Sequence, residues 1–386
     1  MDDLKNIQPV LRRNEKVIAG PCSAESYEQV METAKQLYEQ GVPIFRAGIW
    51  KPRTQPGGFE GVGTIAIPWL KEVKDRYGMK IAIEVANETQ AIIALNNDID
   101  ILWIGARTTA DPFAVQSIAN VISWAKSIDP NKDISVLIKN PVCPDYNLWL
   151  GAIQRIANTG ITKIGCVFRG FKTYKKSIYR NEPIWAIPLQ LMTEHPNIQM
   201  ILDPSHITGD RKLINKVVRE GLRIYNMDGV MIECHCDPDN AWTDSKQQIK
   251  PENLASYLDI SNFNCNMFTG DVSDMNDKDK KLLNNYRADI ERADEKIVNL
   301  IVTRLSIAQM IGKLKAKYNI PVLCKDQWKK IIENMKNQLS IAVNDENFNP
   351  YENSDDINYF ISTMMENIYD EIHNTSIKIQ EENNIN

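Results

Sequence analysis

Residues 80–105 read KIAIEVANETQAIIALNNDIDILWIG, and this unit decides the fold. An apolar, β-rich run (Lys80–Val85) ends in polar residues, a helical stretch follows, and a second apolar run (Ile101–Gly105) begins. The same rhythm recurs up to about residue 260. It gives eight strand candidates: Lys16–Ala19, Pro43–Ala47, Lys80–Val85, Ile101–Gly105, Ser135–Lys139, Lys163–Phe168, Met200–Leu202 and Gly229–Glu233. Their apolar character is continuous, whereas a sheet with one wet face would alternate, so parallel strands covered on both sides are expected. Eight βα units in about 250 residues predict an α/β fold, a (β/α)8 TIM barrel, with a doubly wound sheet as the competing architecture.

The rhythm stops near Asn264. Residues 265–275, CNMFTGDVSDM, are polar and turn-forming and read as a linker. The expected domains are 1–264, this linker, and an all-helical 276–386. Within the last, Asp279–Tyr318 holds no proline and spaces Ile290, Ala293, Ile297, Leu300, Ile301, Leu305, Ala308, Ile311 and Leu314 as on a helix. At ~1.5 Å per residue this makes a rod of about 60 Å. Such a rod needs a partner, and a second copy of itself is expected: a homodimer through the helical domain, or a higher homo-oligomer. Pro321 ends the rod, and two further helices are expected at about 325–339 and 355–380.

Composition excludes several classes. Of 386 residues, 43% are apolar and 25% charged, so a normal core can form and general disorder is excluded. The net charge of −5 gives no reason to expect nucleic acid or an anionic membrane as partner. No run of about 18 uncharged apolar residues is present, and no apolar stretch follows the charged N-terminus as in a signal peptide. The seven cysteines are an odd number, scattered and without a CxxC pair, which fits a reducing cytoplasm.

In a barrel, functional side chains gather at the C-terminal ends of the strands. The chemically unusual residues fall there: Cys22, then Arg46, Lys51, Arg53 and Thr54, then Arg107, Lys139, Arg169, His206, Glu233 and, in the last loop, Asp244. Six cations (Arg46, Lys51, Arg53, Arg107, Lys139, Arg169) converging on one mouth repel unless an anion fills it. Arginines match phosphate and carboxylate geometry, so small, multiply anionic substrates are expected. Cys22, His206, Glu233 and Asp244 form a mixed S/N/O set suited to one divalent transition ion. In Glu233–Cys236, ECHC, strand alternation sends Glu233 and His235 to one side, and Cys234 and Cys236 are expected in the core. The segment Pro56–Gly63, PGGFEGVG, lacks a GK[ST] ending, so it is no P-loop and reads as a mobile loop beside the site.

AGPCS, KPRT, GAR, RGF, DPSHITGDR and IECHCDPDNAWTDSKQQ together resemble 3-deoxy-D-arabino-heptulosonate 7-phosphate (DAHP) synthase, in the branch nearest the octulosonate phosphate synthases. The resemblance covers about residues 10–260. It implies a transferase that condenses phosphoenolpyruvate with erythrose 4-phosphate, the first step of the shikimate pathway. It implies a metal (of Mn, Fe, Co or Zn type) on Cys22, His206, Glu233 and Asp244. Arg107, Lys139 and Arg169 match the phosphoenolpyruvate phosphate site, Arg46 and Lys51 its carboxylate and reacting end, and Arg53 and Thr54 the aldose phosphate site. KPRT stands where the octulosonate enzymes carry a KANR-type sequence, which argues against arabinose 5-phosphate as substrate.

On the long helix Arg304 and Lys315, eleven residues apart, share a face, with Arg287 about a quarter turn round; Ser376 and Gln380 share a face of the last helix. YRADIERADEKIVNLIVTRLSIAQMIGKLK and HNTSIKIQ resemble the all-helical chorismate mutases over about 276–382. That resemblance implies an isomerase turning chorismate into prephenate, with Arg287 (reaching into a second copy's site), Arg304, Lys315, Ser376 and Gln380 as its polar residues. Where the family places an Asp and a Glu four apart, this chain has Cys324 and Trp328. A non-catalytic module that senses chorismate or prephenate is therefore the alternative, and any feedback on the barrel is expected to act through this domain.

Overall fold

The structure is a computed structural model and describes residues 2–51, 57–174, 177–258, 275–322, 325–343 and 354–382. The eight expected strands form: β1 (Val17–Gly20), β2 (Ile44–Ala47), β3 (Lys80–Val85), β4 (Ile101–Ile104), β5 (Ser135–Lys139), β6 (Lys163–Phe168), β7 (Gln199–Leu202) and β8 (Gly229–Glu233). They close into one parallel barrel in chain order. Closure is made by β1 on β8, with Val17 opposite Val230 and Gly20 opposite Glu233, which excludes the open doubly wound sheet. Helices cover the outside, so each strand is buried on both faces, as its continuous apolar composition requires.

Period two along each strand separates two apolar layers. Inward positions form one cluster: Ile18, Ile44, Ala82, Ile101, Trp103, Leu137, Val167, Ile201 and Met231, closed below by Val10 and Leu11. The N-terminal segment is held there by Gln199, whose side chain accepts from Leu11 N at 2.8 Å and donates to Leu11 O at 3.0 Å. Outward positions such as Ala19, Phe45, Ile83 and Ile232 pack on the helices. Two residues past the last inward apolar residue of each strand lies Gly20, Arg46, Glu84, Gly105, Lys139, Arg169, Asp203 or Glu233. Six of these eight positions are charged and two are glycine, so the same alternation that builds the core continues into a charged layer above it.

The chain divides into two compact units, 1–267 and 268–386. In the second, helices span Asp277–Lys317, Lys325–Val343 and Ser354–Glu382, each near its expected bounds. Asn276 caps the long helix, its side chain accepting from Asp279 N at 2.9 Å. Ala308 and Gly312, one turn apart, are the buried residues of this helix, and Gly312 faces Gln380 of the last helix. A Cβ on Gly312 would sit 2.9 Å from Gln380 Cα, so the two backbones approach as closely as they do only at glycine. Tyr286, Ile290, Ile297 and Leu300 are exposed within this single chain. Among the described helices this one is long and apolar enough to cross a membrane by length and composition. It also carries Arg304, whose Nη1 donates to Ser376 Oγ at 3.0 Å, a contact between packed helices. The expected linker lies, except for its last residue, outside the described residues.

Candidate active site and metal centre

One pocket at the C-terminal mouth of the barrel is lined by Cys22, Arg46, Lys51, Arg107, Lys139, Arg169, His206, Glu233 and Asp244. Nine residues named from the sequence are therefore brought together, while Arg53 and Thr54 lie outside the described residues. Glu84 and Arg180 line it too and were not anticipated. Glu84 had a signal, standing two residues past the inward Ala82, whereas Arg180 comes from a loop and had none.

Gly20 allows the ends of β1 and β2 to meet: its φ is +152°, and a Cβ there would lie 2.0 Å from Arg46 O. Cys22 follows, its N–H bound to Gln248 Oε1 at 2.9 Å. Ser23 Oγ meets Thr243 Oγ1 at 2.7 Å, and Glu25 accepts from Trp242 N at 2.8 Å. These contacts stitch the loop after β8 to the loop after β1 and bring Asp244, in left-handed conformation (φ 48°), beside Cys22. One ligating atom each from Cys22, Glu233 and Asp244 lie within 4.8 Å of one another. The Cys22 thiol lies 3.1 Å from Asp244 Oδ2. Lys51 Nζ bonds the Cys22 sulfur and lies 3.4 Å from the same Asp244 oxygen. His206 stands beside this trio, Nε2 3.7 Å from Glu233 Oε1.

Asp203 was not named as a site residue, yet it organises this corner. Its buried carboxylate takes the Lys139 ammonium at 2.7 Å, His206 Nδ1 at 2.9 Å and the His206 backbone N–H at 3.1 Å. Burial alone would raise its pKa; His206 and Lys139 outweigh that and hold it well below the usual carboxylate range. With Nδ1–H given to Asp203, Nε2 presents its lone pair to the pocket, and burial lowers the His206 pKa toward the neutral, ligating form. Glu233 Oε2 accepts from Gln247 Nε2 at 2.6 Å, while Oε1 is buried and accepts no hydrogen bond among the described residues. Arg180 Nη1 fixes the other Asp244 oxygen at 2.9 Å and Gln247 Oε1 at 2.7 Å. Burial, followed by the Glu233 charge, raises the Cys22 thiol pKa, a cost that a cation on sulfur would offset. An orphaned carboxylate oxygen, a thiol, a second carboxylate and an oriented imidazole fit a divalent transition ion.

The anion receptors are incompletely satisfied by the protein. Arg46 is 2% exposed, its Nη2 is 3.3 Å from Glu233 Oε1, and Nε and Nη1 have no hydrogen-bond partner among the described residues. Arg169 donates from Nη1 to Asn181 Oδ1 at 2.9 Å, and burial pushes its pKa down to about 10. An anion bound here would satisfy the donors and restore the charge balance.

Two expectations need correction. His235 does not join Glu233: β8 ends at Glu233, and the imidazole turns to Glu25, Nε2 3.3 Å from Oε2. Cys234 is buried in the core as expected, but Cys236 is only half-buried, because alternation stops with the strand. The described residues of the glycine-rich segment, 57–63, do lie beside the site: Phe59 meets Trp242 edge-on at 5.1 Å, and Lys51 N donates to Glu60 O at 2.8 Å.

In the helical unit, Arg304 reaches Ser376, and Gln380 packs on Gly312 with its Oε1 buried and unpartnered among the described residues. Lys315 Nζ donates to Val322 O at 2.6 Å. Arg287 is exposed and, seventeen residues before Arg304, stands about 25 Å away along the helix at ~1.5 Å per residue. Trp328 stacks on His373 with ring centroids 3.8 Å apart, an aromatic pair the sequence did not announce. Cys324 lies outside the described residues.

Comparisons with known proteins agree with this division. A family model described as the DAHP synthetase I family matches residues 12–266, and one described as chorismate mutase type II matches residues 286–381. A phospho-2-dehydro-3-deoxyheptonate aldolase of Thermotoga maritima is 35% identical over 233 residues, covering 60% of this chain and 64% of that protein. The chain thus spans less than two thirds of that relative's length. A 2-dehydro-3-deoxyphosphooctonate aldolase of Chelativorans sp. is 27% identical over 256 residues, covering 63% of this chain and 88% of that one. A crystal structure of the Thermotoga maritima DAHP synthase superposes with a TM-score of 0.55 at 30% identity, covering 64% of this chain and 68% of that chain.

Proposed function

The chain belongs to the DAHP synthetase I family, and from that premise we propose a bifunctional enzyme: a barrel that condenses phosphoenolpyruvate with erythrose 4-phosphate, and a helical unit that rearranges chorismate to prephenate. The observation that carries the first activity is the pocket itself. Six cations (Arg46, Lys51, Arg107, Lys139, Arg169 and Arg180), a thiol, an imidazole and carboxylates from strand ends and the loops after them face one space, and Arg46 holds two buried nitrogens without hydrogen-bond partners among the described residues.

In this reading Arg46, Arg107, Lys139 and Arg169 hold the phosphate and carboxylate of phosphoenolpyruvate, and Arg53 with Thr54 holds the aldose phosphate. Gathering two anions removes their mutual repulsion and the entropic cost of meeting. C3 of phosphoenolpyruvate bonds to the aldehyde carbon, water adds at C2, and the C2–O bond to phosphate breaks, giving DAHP and inorganic phosphate. Cys22, His206, Glu233 and Asp244 would hold one divalent ion of Mn, Fe, Co or Zn type, which supplies Lewis-acid polarisation of the aldehyde oxygen when bound. Lys51 stays protonated: burial lowers its pKa, but Cys22, Glu233 and Asp244 outweigh that, so a proton is held at Nζ beside the reacting end.

In the helical unit, Arg304, with Arg287 from a second copy, would hold the two carboxylates, while Lys315 and Gln380 donate to the ether oxygen as charge builds there. The exposed Tyr286, Ile290, Ile297 and Leu300 support a homodimer through this unit. We place the domain boundaries at 264 and 276. We place the protein in a reducing cytoplasm, consistent with the five described cysteines all being free.

The test is two assays on the full chain. Release of phosphate from phosphoenolpyruvate with erythrose 4-phosphate, against arabinose 5-phosphate, is expected to favour the four-carbon aldose by at least tenfold; the reverse preference would make the barrel an octulosonate phosphate synthase. Chorismate loss that disappears in Arg304→Ala is expected for the helical unit. Saturable prephenate binding without chorismate turnover would make that unit a sensor.

A further inference from the structure

We propose that Trp103 is a positioning residue for the anion site, with one indole setting Arg46 and Lys139 through its ring face and Glu84 through its N–H. Trp103 is fully buried on β4 and belongs to the inward layer. It is the topmost apolar residue there, because the next inward position on its strand is Gly105. A Cβ on Gly105 would lie 2.0 Å from Glu84 Oε1, so glycine keeps open the space that Glu84 fills.

The three charged groups meet one side chain. Arg46 Cζ lies 4.8 Å from the ring centroid, Lys139 Nζ lies 5.8 Å from it, and indole Nε1 donates to Glu84 Oε2 at 3.1 Å. All three line the pocket. Arg46 depends on the ring most, because its Nε and Nη1 find no hydrogen bond among the described residues. Its compensation is the Glu233 carboxylate at 3.3 Å and the negative face of the indole. Lys139 is tied to Asp203 at 2.7 Å and needs the ring less. An aliphatic residue at 103 would keep the inward pattern yet present no face, leaving Arg46 held by Glu233 alone. An aromatic residue without a donor would keep the face and release Glu84.

The identity of the bound anion rests on the activity proposed above; the placement of Arg46 does not. The test compares Trp103→Leu, Trp103→Met and Trp103→Phe in the full chain. In the aliphatic variants the Kd for phosphoenolpyruvate by calorimetry is expected to rise about tenfold, as for a desolvated cation–π contact, with the KM for the aldose phosphate within about twofold. Trp103→Phe is expected to return the Kd to within about threefold of the parent, because the ring face under Arg46 is kept. Arg46 is also read directly, by the Nε resonance of 15N-arginine-labelled protein assigned with Arg46→Lys. The ring-current shift is expected in the parent and in Trp103→Phe and absent in Trp103→Leu and Trp103→Met. An unchanged Kd in a folded aliphatic variant, equal loss for both substrates, or an Arg46 resonance insensitive to residue 103 would overturn the proposal. A parent that binds no phosphoenolpyruvate would refute the activity reading, and the Arg46 resonance would still decide the placement.

Discussion

Replacing Asp203 by asparagine separates two roles held by one buried carboxylate. Asp203 neutralises Lys139 at 2.7 Å and sets the His206 imidazole at 2.9 Å, and it is fully buried. Asparagine keeps the volume and one acceptor, which still serves the His206 backbone N–H. It turns an amide toward either the Lys139 ammonium or His206 Nδ1. Removing one partner of a buried pair costs about 3–5 kcal/mol, and the retained acceptor places this change near the lower end, about 3 kcal/mol. For a barrel of this size that corresponds to a fall in Tm of about 6–12 °C. Loss of the imidazole's orienting partner is expected to weaken divalent metal binding by about 10–100-fold. Calorimetric unfolding and a competition titration with a chromophoric chelator read the two effects separately. The double variant Asp203→Asn/Lys139→Met removes the unpaired charge, so most of the Tm is expected to return while metal affinity stays low. A Tm within 2 °C of the parent together with unchanged metal affinity would refute the reasoning.

The other predictions are simpler. Cys22→Ala or His206→Ala is expected to abolish metal-dependent condensation, and full activity after exhaustive chelation would sink the metal assignment. Arg53→Ala is expected to raise the KM for the aldose phosphate more than that for phosphoenolpyruvate; the opposite order would overturn the division of the pocket. Burial raises the Asp228 pKa, although its carboxylate accepts from Met200 N at 2.7 Å. An acid whose folded pKa is raised binds more protons folded than unfolded, so its ionisation destabilises the fold as pH rises through that window. Asp228→Asn, which keeps the acceptor, is therefore expected to raise Tm at neutral pH, with the gain vanishing below about pH 4, near the unfolded carboxylate pKa; a lower Tm at pH 7 would contradict this. Prephenate inhibition of condensation, if measured, is expected to disappear on deleting residues 270–386, and its persistence would place the feedback site in the barrel.

Much of the site was legible because side-chain direction along a strand is local information. Ile44 inward places Arg46 inward, and Leu137 does the same for Lys139, whatever the rest of the chain does. The same rule reaches Glu84, two residues past Ala82, and Asp203, two past Ile201, although the sequence reading did not single them out. It misled at His235, where β8 had already ended and the alternation no longer applied. On the long helix the spacing gave the shared face of Arg304 and Lys315, and Arg304 does meet Ser376 across the helix pair.

The sequence by itself determined the strand and helix periods, the eight-unit count that makes a barrel, the charged layer above its apolar interior, and the second, helical unit. Only the tertiary structure decided which of those charges meet. Cys22 and Asp244 are separated by 222 residues and touch because β1 closes on β8 and the two following loops are stitched together. Lys51 beside the Cys22 sulfur, Arg180 on Asp244, the His206–Asp203–Lys139 chain and Trp103 beneath Arg46 likewise depend on strand stagger and loop path. The reason is physical: backbone periodicity fixes where a side chain points, but contact requires two points of the chain to occupy one place, and only closure of the whole barrel supplies that.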